Sequence, residues 1–264
     1  MKIMLVSGHG AGDPGCVATM KGVTYKEAEE TIKVVDLLKP LLEPYAEVGV
    51  YDEARDAFRD AKAGTLAAKL KGWDYVLEIH FNACVGDYIG NGQTTGAEIF
   101  YPSRGRSSGA EDAIMRGLAA LGLKNRGEQA GIFAVINTAH NMGCKANLLE
   151  VCFLDDADDI RIYTKNRQAV AQAIADGVVS AFGLTESEDE VRYAHLKDIP
   201  NDWGARDMVD KLMTAGVIAG DGSDKTGNGD KIDLSQDMVR LLAFNYAAGL
   251  YDAALEAKGL NRND

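Results

Sequence analysis

Positive charge is scarce in this chain of 264 residues: 28 lysines and arginines face 40 aspartates and glutamates, for a formal charge of -12. A nucleic-acid binder offsets phosphate charge with basic patches, so the balance argues against that function, and equally against electrostatic docking on an anionic membrane. Long apolar runs are also missing. None approaches transmembrane length, and Met1-Lys2 leads straight into a strand pattern, so neither a signal peptide nor a membrane anchor is expected. The four cysteines, Cys16, Cys84, Cys144 and Cys152, form no Cys-x-x-Cys pair and no small-scaffold spacing. That argues against a disulfide framework and predicts reduced, mostly buried thiols, with Cys16 and Cys84 near histidines in the chain. Histidine is limited to His9, His80, His140 and His195.

What is present is ordinary globular material, 46% hydrophobic and 26% charged, long enough for one sizeable core and a small extra module. Ile3-Met4-Leu5-Val6 reads as a first buried strand, followed by the glycine-rich stretch Ser7-Gly8-His9-Gly10-Ala11-Gly12-Asp13-Pro14-Gly15. Thr24 and Glu27 have capping-box spacing, predicting a helix opened by Thr24 and ending near residues 43–44. Strands are expected at 46–51, 75–81, 96–101, 131–136 and 147–153. Helices are expected at 57–71 (interrupted at Gly64), at 108–121, and after a cap at Asp158 or Asp159. This alternation predicts an α/β domain over 1–183, with a mainly parallel twisted sheet of about six strands flanked by helices. Residues 184–192 read as an acidic linker, and 193–264 as a small helical module with helices near 203–215 and after Ser235. The second of these is expected to show Met238, Leu241, Leu242 and Tyr246 on one face.

Two chemistries compete for the glycine-rich stretch. A dinucleotide loop fits only its first two glycines, because Asp13 stands where the third belongs. A metal site fits better. In Glu78-Ile79-His80-Phe81-Asn82, strand alternation puts Glu78, His80 and Asn82 on one face. His9 and His80 then project at the carboxyl edge of a parallel sheet, and Glu27 sits in the first turn of the helix that starts beyond it. Two imidazoles and one carboxylate, with a fourth position left to water, make a recognised catalytic zinc set. Glu150, a charge inside the apolar run Leu148-Leu149-Glu150-Val151-Cys152-Phe153, needs a partner or a task and is a candidate base, as is Glu78. Asp13 is a candidate to orient His9, and the glycines are expected to leave room for a bulky substrate.

These segments, from Ser7-Gly8-His9-Gly10 through Glu27 and Ile79-His80-Phe81-Asn82-Ala83 to Leu149-Glu150-Val151-Cys152-Phe153-Leu154, resemble the zinc-dependent N-acetylmuramoyl-L-alanine amidases. The resemblance covers about residues 2–182. It implies Zn2+ held by His9, Glu27 and His80, Glu150 as the catalytic residue, and Asn82 at the family's strand-end asparagine. The implied reaction cleaves the bond between N-acetylmuramic acid and L-alanine in bacterial peptidoglycan. The chain departs from the family pattern at Cys144-Lys145, where a proline is frequent, and at Glu78, where a small polar residue is common. A zinc peptidase acting within the stem peptide and a non-catalytic wall-binding protein are the alternatives. With no export signal expected, the resemblance implies a phage or prophage endolysin held in the host bacterial cytoplasm until a holin releases it. The tail more faintly resembles an S-layer homology module through Asp202-Trp203, Val209, Leu212, residues 216–220 and Ile232-Asp233-Leu234-Ser235. That implies a secondary cell-wall polymer as partner, with homo-oligomerisation through the tail as the rival. A calcium loop from Asp224 fails at Thr226 and Ser235.

Overall fold

A computed structural model describes residues 1–105, 107–186, 192–201, 204–218 and 231–262. The chain divides into two compact units, Met1–Ser187 and Glu188–Asp264. In the first, β1 (Lys2–Ser7) sends Ile3 and Leu5 to one core and Met4 and Val6 to another, because helices cover both faces of the sheet. A hairpin of β2 (Val17–Met20) and β3 (Val23–Lys26) leads into α1 (Glu27–Leu42). Then come β4 (Glu47–Val50), α2 (Ala57–Lys62), α3 (Leu66–Leu70) and β5 (Tyr75–Asn82). The second half runs β6 (Ala97–Pro102), α4 (Glu111–Ala120), β7 (Asn125–Gly131), α5 (Ala134–Asn141), β8 (Lys145–Phe153), α6 (Ala157–Lys165) and α7 (Arg167–Phe182). The six-stranded sheet has the order β4-β1-β5-β8-β6-β7, and only β6 against β8 is antiparallel. This is the mainly parallel α/β sheet that the sequence predicts.

Four local expectations are corrected. Thr24 does not cap α1: it lies in β3, where its hydroxyl meets that of Thr19 across the hairpin at 2.9 Å. Lys21 and Gly22, both at positive φ, make the two-residue turn that this pairing requires. The expected strand at 131–136 is instead the end of β7 and the start of α5. β7 is an edge strand that tolerates the polar sequence Asn125-Arg126-Gly127-Glu128-Gln129, whereas Val135, Ile136 and Ala139 bury one helical face. A short apolar run carries too few residues for periodicity to separate these outcomes. The cap of α6 is Asp156, which accepts from the N–H groups of Asp158 and Asp159. Leu184 packs on the core and Glu186 accepts from the Tyr45 hydroxyl at 3.1 Å, so the start of the expected linker belongs to the first unit. Its residues 187–191 lie outside the described residues.

The second unit combines an antiparallel ribbon of β9 (Arg192–His195) and β10 (Lys231–Ser235) with α8 (Ala205–Thr214), α9 (Gln236–Ala247) and α10 (Asp252–Glu256). The ribbon adds to the purely helical expectation. Tyr193, Val209, Leu212, Leu234 and Val239 bury its core. Ser235 caps α9 through the Met238 N–H. α9 turns Val239, Leu242 and Tyr246 inward while Met238 and Leu241 are exposed, so its buried face is rotated from the expected one. Asp202-Trp203 and 219–230, which carry part of the S-layer resemblance and the rejected calcium loop, lie outside the described residues.

Candidate active site

The connection after β1 runs to β4 on one side and the connection after β5 runs to β6 on the other, so a crevice opens at the carboxyl ends of β1 and β5. The Gly8 N–H donates to the Ile79 carbonyl at 2.8 Å, and the Thr31 hydroxyl of α1 donates to the Gly8 carbonyl at 3.1 Å. His9 follows with a left-handed backbone, φ 65°. Glu27 opens α1 and is tied to the same loop, its N–H donating to the Cys16 carbonyl at 2.9 Å.

These elements bring His9, Glu27 and His80 together, with one donor atom from each lying within 4.8 Å of the others. Glu27 sits between the rings: Oε2 lies 3.1 Å from His9 Nε2 and Oε1 lies 2.9 Å from His80 Nδ1. Its two oxygens also accept from the N–H groups of Cys16 and Phe81. Burial alone would raise the Glu27 carboxyl, but the bonds from His80 and His9 hold it well below the usual carboxylate range. Those bonds in turn raise both imidazoles. For His9 the Glu27 hydrogen bond is the main cause, while for His80 burial opposes charging and the bonds to Glu27 and Glu78 outweigh it.

Each histidine has a carboxylate on its far nitrogen. Asp13 Oδ2 lies 3.1 Å from His9 Nδ1, and Asp13 Oδ1 is fixed by the Gly15 N–H at 3.0 Å. Glu78 Oε1 lies 3.1 Å from His80 Nε2. The far partners leave His9 Nε2 and His80 Nδ1 facing Glu27.

Glu150 stands beside the cluster. On β8 it is in register with His80 of β5 and with Glu98 of β6, so the three side chains form one row across the sheet. Its Oε2 is buried without a hydrogen-bond partner, as is Oε2 of Glu78. Burial, offset in part by His80 and reinforced by Glu27, Glu98 and Glu78, pushes the Glu150 carboxyl up to about 7. Asn82 does not face the cluster: its amide donates to Glu98, and its Oδ1 accepts from the Ala83 N–H at 2.8 Å. Glu98 is a buried acid that sequence reasoning passed over, although a carboxylate inside Gly96-Ala97-Glu98-Ile99-Phe100 carries the same signal as Glu150. Cys16 is half-buried and Cys84 exposed, and neither belongs to the donor cluster. A second acidic group, Asp87, Asp156 and Asp158, receives backbone N–H groups of residues 90–95 and of α6, anchoring the loop after β5.

The glycines serve the site's own side chains. A Cβ on Gly8 would overlap the His80 ring, and one on Gly15 would lie 2.6 Å from Glu27 Oε2 and 2.7 Å from His9 Cδ2. At Gly8 and Gly15 the expected clearance for substrate is therefore clearance for His9, Glu27 and His80, whereas a Cβ on Gly10 would meet the Arg55 carbonyl and one on Gly12 nothing within 4 Å. Substrate space lies elsewhere, in a cleft of about 380 Å³ that includes His9, Glu78, His80 and Glu150, with Phe58, Ile132, Phe133 and Leu148 as its apolar part.

A family model described as N-acetylmuramoyl-L-alanine amidase matches residues 3–180, the span that contains every residue of this cluster. The chain belongs to that family. The endolysin of Bacillus phage SPP1 is 26% identical over 234 residues, covering 77% of this chain and 82% of that protein. Among solved structures of this family's fold, the catalytic domain of CwlV, an N-acetylmuramoyl-L-alanine amidase from Bacillus (Paenibacillus) polymyxa var. colistinus, is 24% identical with a TM-score of 0.54. That match covers 70% of this chain and 100% of the domain. The catalytic domain of the CD27L endolysin targeting Clostridia difficile is 21% identical with a TM-score of 0.54, covering 68% of this chain and 97% of that domain. The chain is thus a peptidoglycan amidase by family, and the matched span lies inside the first unit.

Proposed function

We propose that the chain hydrolyses the amide between the lactyl group of N-acetylmuramic acid and L-alanine, using zinc held by His9, Glu27 and His80. The observation that carries this reading is the convergence of two imidazole nitrogens on one carboxylate beneath an unpartnered Glu150 oxygen. That donor set suits zinc: two neutral nitrogens and one oxygen, each histidine oriented by a carboxylate on its far nitrogen. The metal would supply Lewis acidity toward the scissile carbonyl and the attacking water. Glu150, held near neutrality, accepts the proton of the attacking water and returns it to the leaving amine of L-alanine. Glu78 is engaged with His80 and serves as its orienting partner, which favours Glu150 as the base. Asp13 does the same for His9.

Digestion of purified peptidoglycan tests the reaction. Whole stem peptides with a free L-alanine amino terminus are expected, together with lactyl carboxylates on the glycan. Fragments cut within the stem would indicate a peptidase instead, and retention on walls without turnover would indicate a binding protein. We further propose an endolysin role, acting on the host wall after release from the cytoplasm; the similarity to the SPP1 endolysin supports it. The second unit is proposed to bind a wall polymer or to self-associate.

A further inference from the structure

The cleft beside the cluster is chemically lopsided. One part carries His9, Asp13, Glu78, His80 and Glu150, and the other is apolar, with Phe58 and Ile132 left 53% and 90% exposed at its rim. Apart from the histidines, its lining contains one cation, Lys62, at the last position of α2. The Lys62 ammonium lies over the Phe58 ring, 5.4 Å from its centre, a cation–π contact that holds it at the cleft. Neighbouring arginines are paired, Arg55 with Asp60 and Arg59 with Asp56. Among the described residues no carboxylate pairs with Lys62. In a chain of charge -12, a cation left unpaired on the lining of a cleft is a place where an anion can be received.

The chemistry of the substrate says which anion. This step rests on the amidase reading above. The only carboxyl of N-acetylmuramic acid is consumed in the scissile amide, so the sugar side offers no charge. The stem side does, because its second residue, D-glutamate, carries a free carboxylate unless it is amidated. An extended chain advances about 3.3–3.6 Å per residue, which puts that carboxylate about 7 Å from the scissile carbonyl. A cleft of about 380 Å³ whose lining includes both Lys62 and the His9–His80 pair has room for the scissile carbonyl and that carboxylate together. We propose that Lys62 reads the second stem residue, making the enzyme selective for stems with a free carboxylate there over amidated ones. The geometry also orients the substrate, with the stem running toward α2 and the apolar part of the cleft taking the alanine methyl.

Muropeptides that differ only in carboxylate or carboxamide at the second stem position are the test, with the full chain loaded with zinc. The wild type is expected to favour the carboxylate about two- to fivefold in kcat/KM, through KM, with the preference shrinking at high salt. Lys62→Met should raise KM for the acidic stem until the two substrates are equal, and Lys62→Arg should restore part of the preference. Equal cleavage by the wild type, or a preference that survives in Lys62→Met, would overturn this role for Lys62 and leave the amidase reading intact. Cleavage of neither stem at the lactyl amide by the wild type would overturn both.

Discussion

The tightest geometric constraint in the site is at Gly8, and it makes Gly8→Ala informative. Gly8 is not at positive φ, so an added methyl brings no backbone penalty of that kind, only contact. Its Cβ would lie 2.7 Å from His80 Nδ1, whereas ordinary contact begins at 3.4 Å. Cε1 and Nε2 of the same ring lie closer still to that Cβ, so the ring must retreat by about 1 Å, and Nδ1 is the atom that stands 2.9 Å from Glu27 Oε1. Glu27 cannot follow, since the Cys16 and Phe81 N–H groups hold its oxygens. Overpacking of this kind costs about 1–3 kcal/mol of stability. A displacement approaching 1 Å at a catalytic group costs about 100-fold in rate. Gly12→Ala is the control: its φ of 89° makes it strained, but nothing lies within 4 Å of its Cβ. Denaturant melts, zinc titration and kcat/KM should therefore separate the two. Gly8→Ala should lose zinc affinity and activity, and Gly12→Ala should lose stability while keeping zinc affinity. Wild-type zinc affinity in Gly8→Ala would refute this packing argument.

Glu150→Gln is expected to keep zinc and lose about 10²–10⁴ in kcat, while Glu78→Gln should mainly weaken zinc binding, by about 10–100-fold. The reverse pattern, by kinetics and metal titration, would move the base role to Glu78. If zinc binds as proposed, it must displace protons from His9 and His80, whose affinities for protons are raised by their carboxylate partners. Competition titrations should show zinc affinity falling as pH drops, beginning above 6.5 and approaching tenfold per pH unit for each proton displaced. In the pH–rate profile the acid limb reports ionised Glu150. It should fall at or below about 7, because a bound cation lowers a carboxyl that burial has raised. Truncation after Ser187 should leave the first unit folded and hydrolytic, with the loss appearing in wall sedimentation or in oligomeric state; both unchanged would remove those roles from the tail.

The site was legible because its residues break patterns. His80 and Glu150 interrupt apolar strands, and period-two alternation assigns Glu78 and Asn82 to the same face as His80. Glu27 was legible for the wrong reason: capping-box spacing located it, but its carboxylate binds two imidazoles and its supposed partner Thr24 lies in a hairpin. The hairpin had a signal in Lys21-Gly22 between β-branched residues. α5 had almost none, since eight residues with three buried positions do not declare a period. Asn82 shows the limit of face assignment: alternation puts it beside His80, but the β5–β8 register shifts between the two, and its amide reaches the Glu98 carboxylate of β6, beyond β8. Lys62 was invisible, because an exposed lysine ending a short helix acquires meaning only from the cleft it borders.

The central claim is that His9, Glu27 and His80 hold the zinc with which Glu150 cleaves the lactyl–alanine amide. Mass spectrometry of peptidoglycan digests, run on protein of measured metal content before and after chelation, tests it most directly. One zinc per chain, intact stem peptides released, loss of release on chelation and recovery with zinc are expected. Undiminished release from metal-stripped protein, or fragments cut inside the stem, would contradict it.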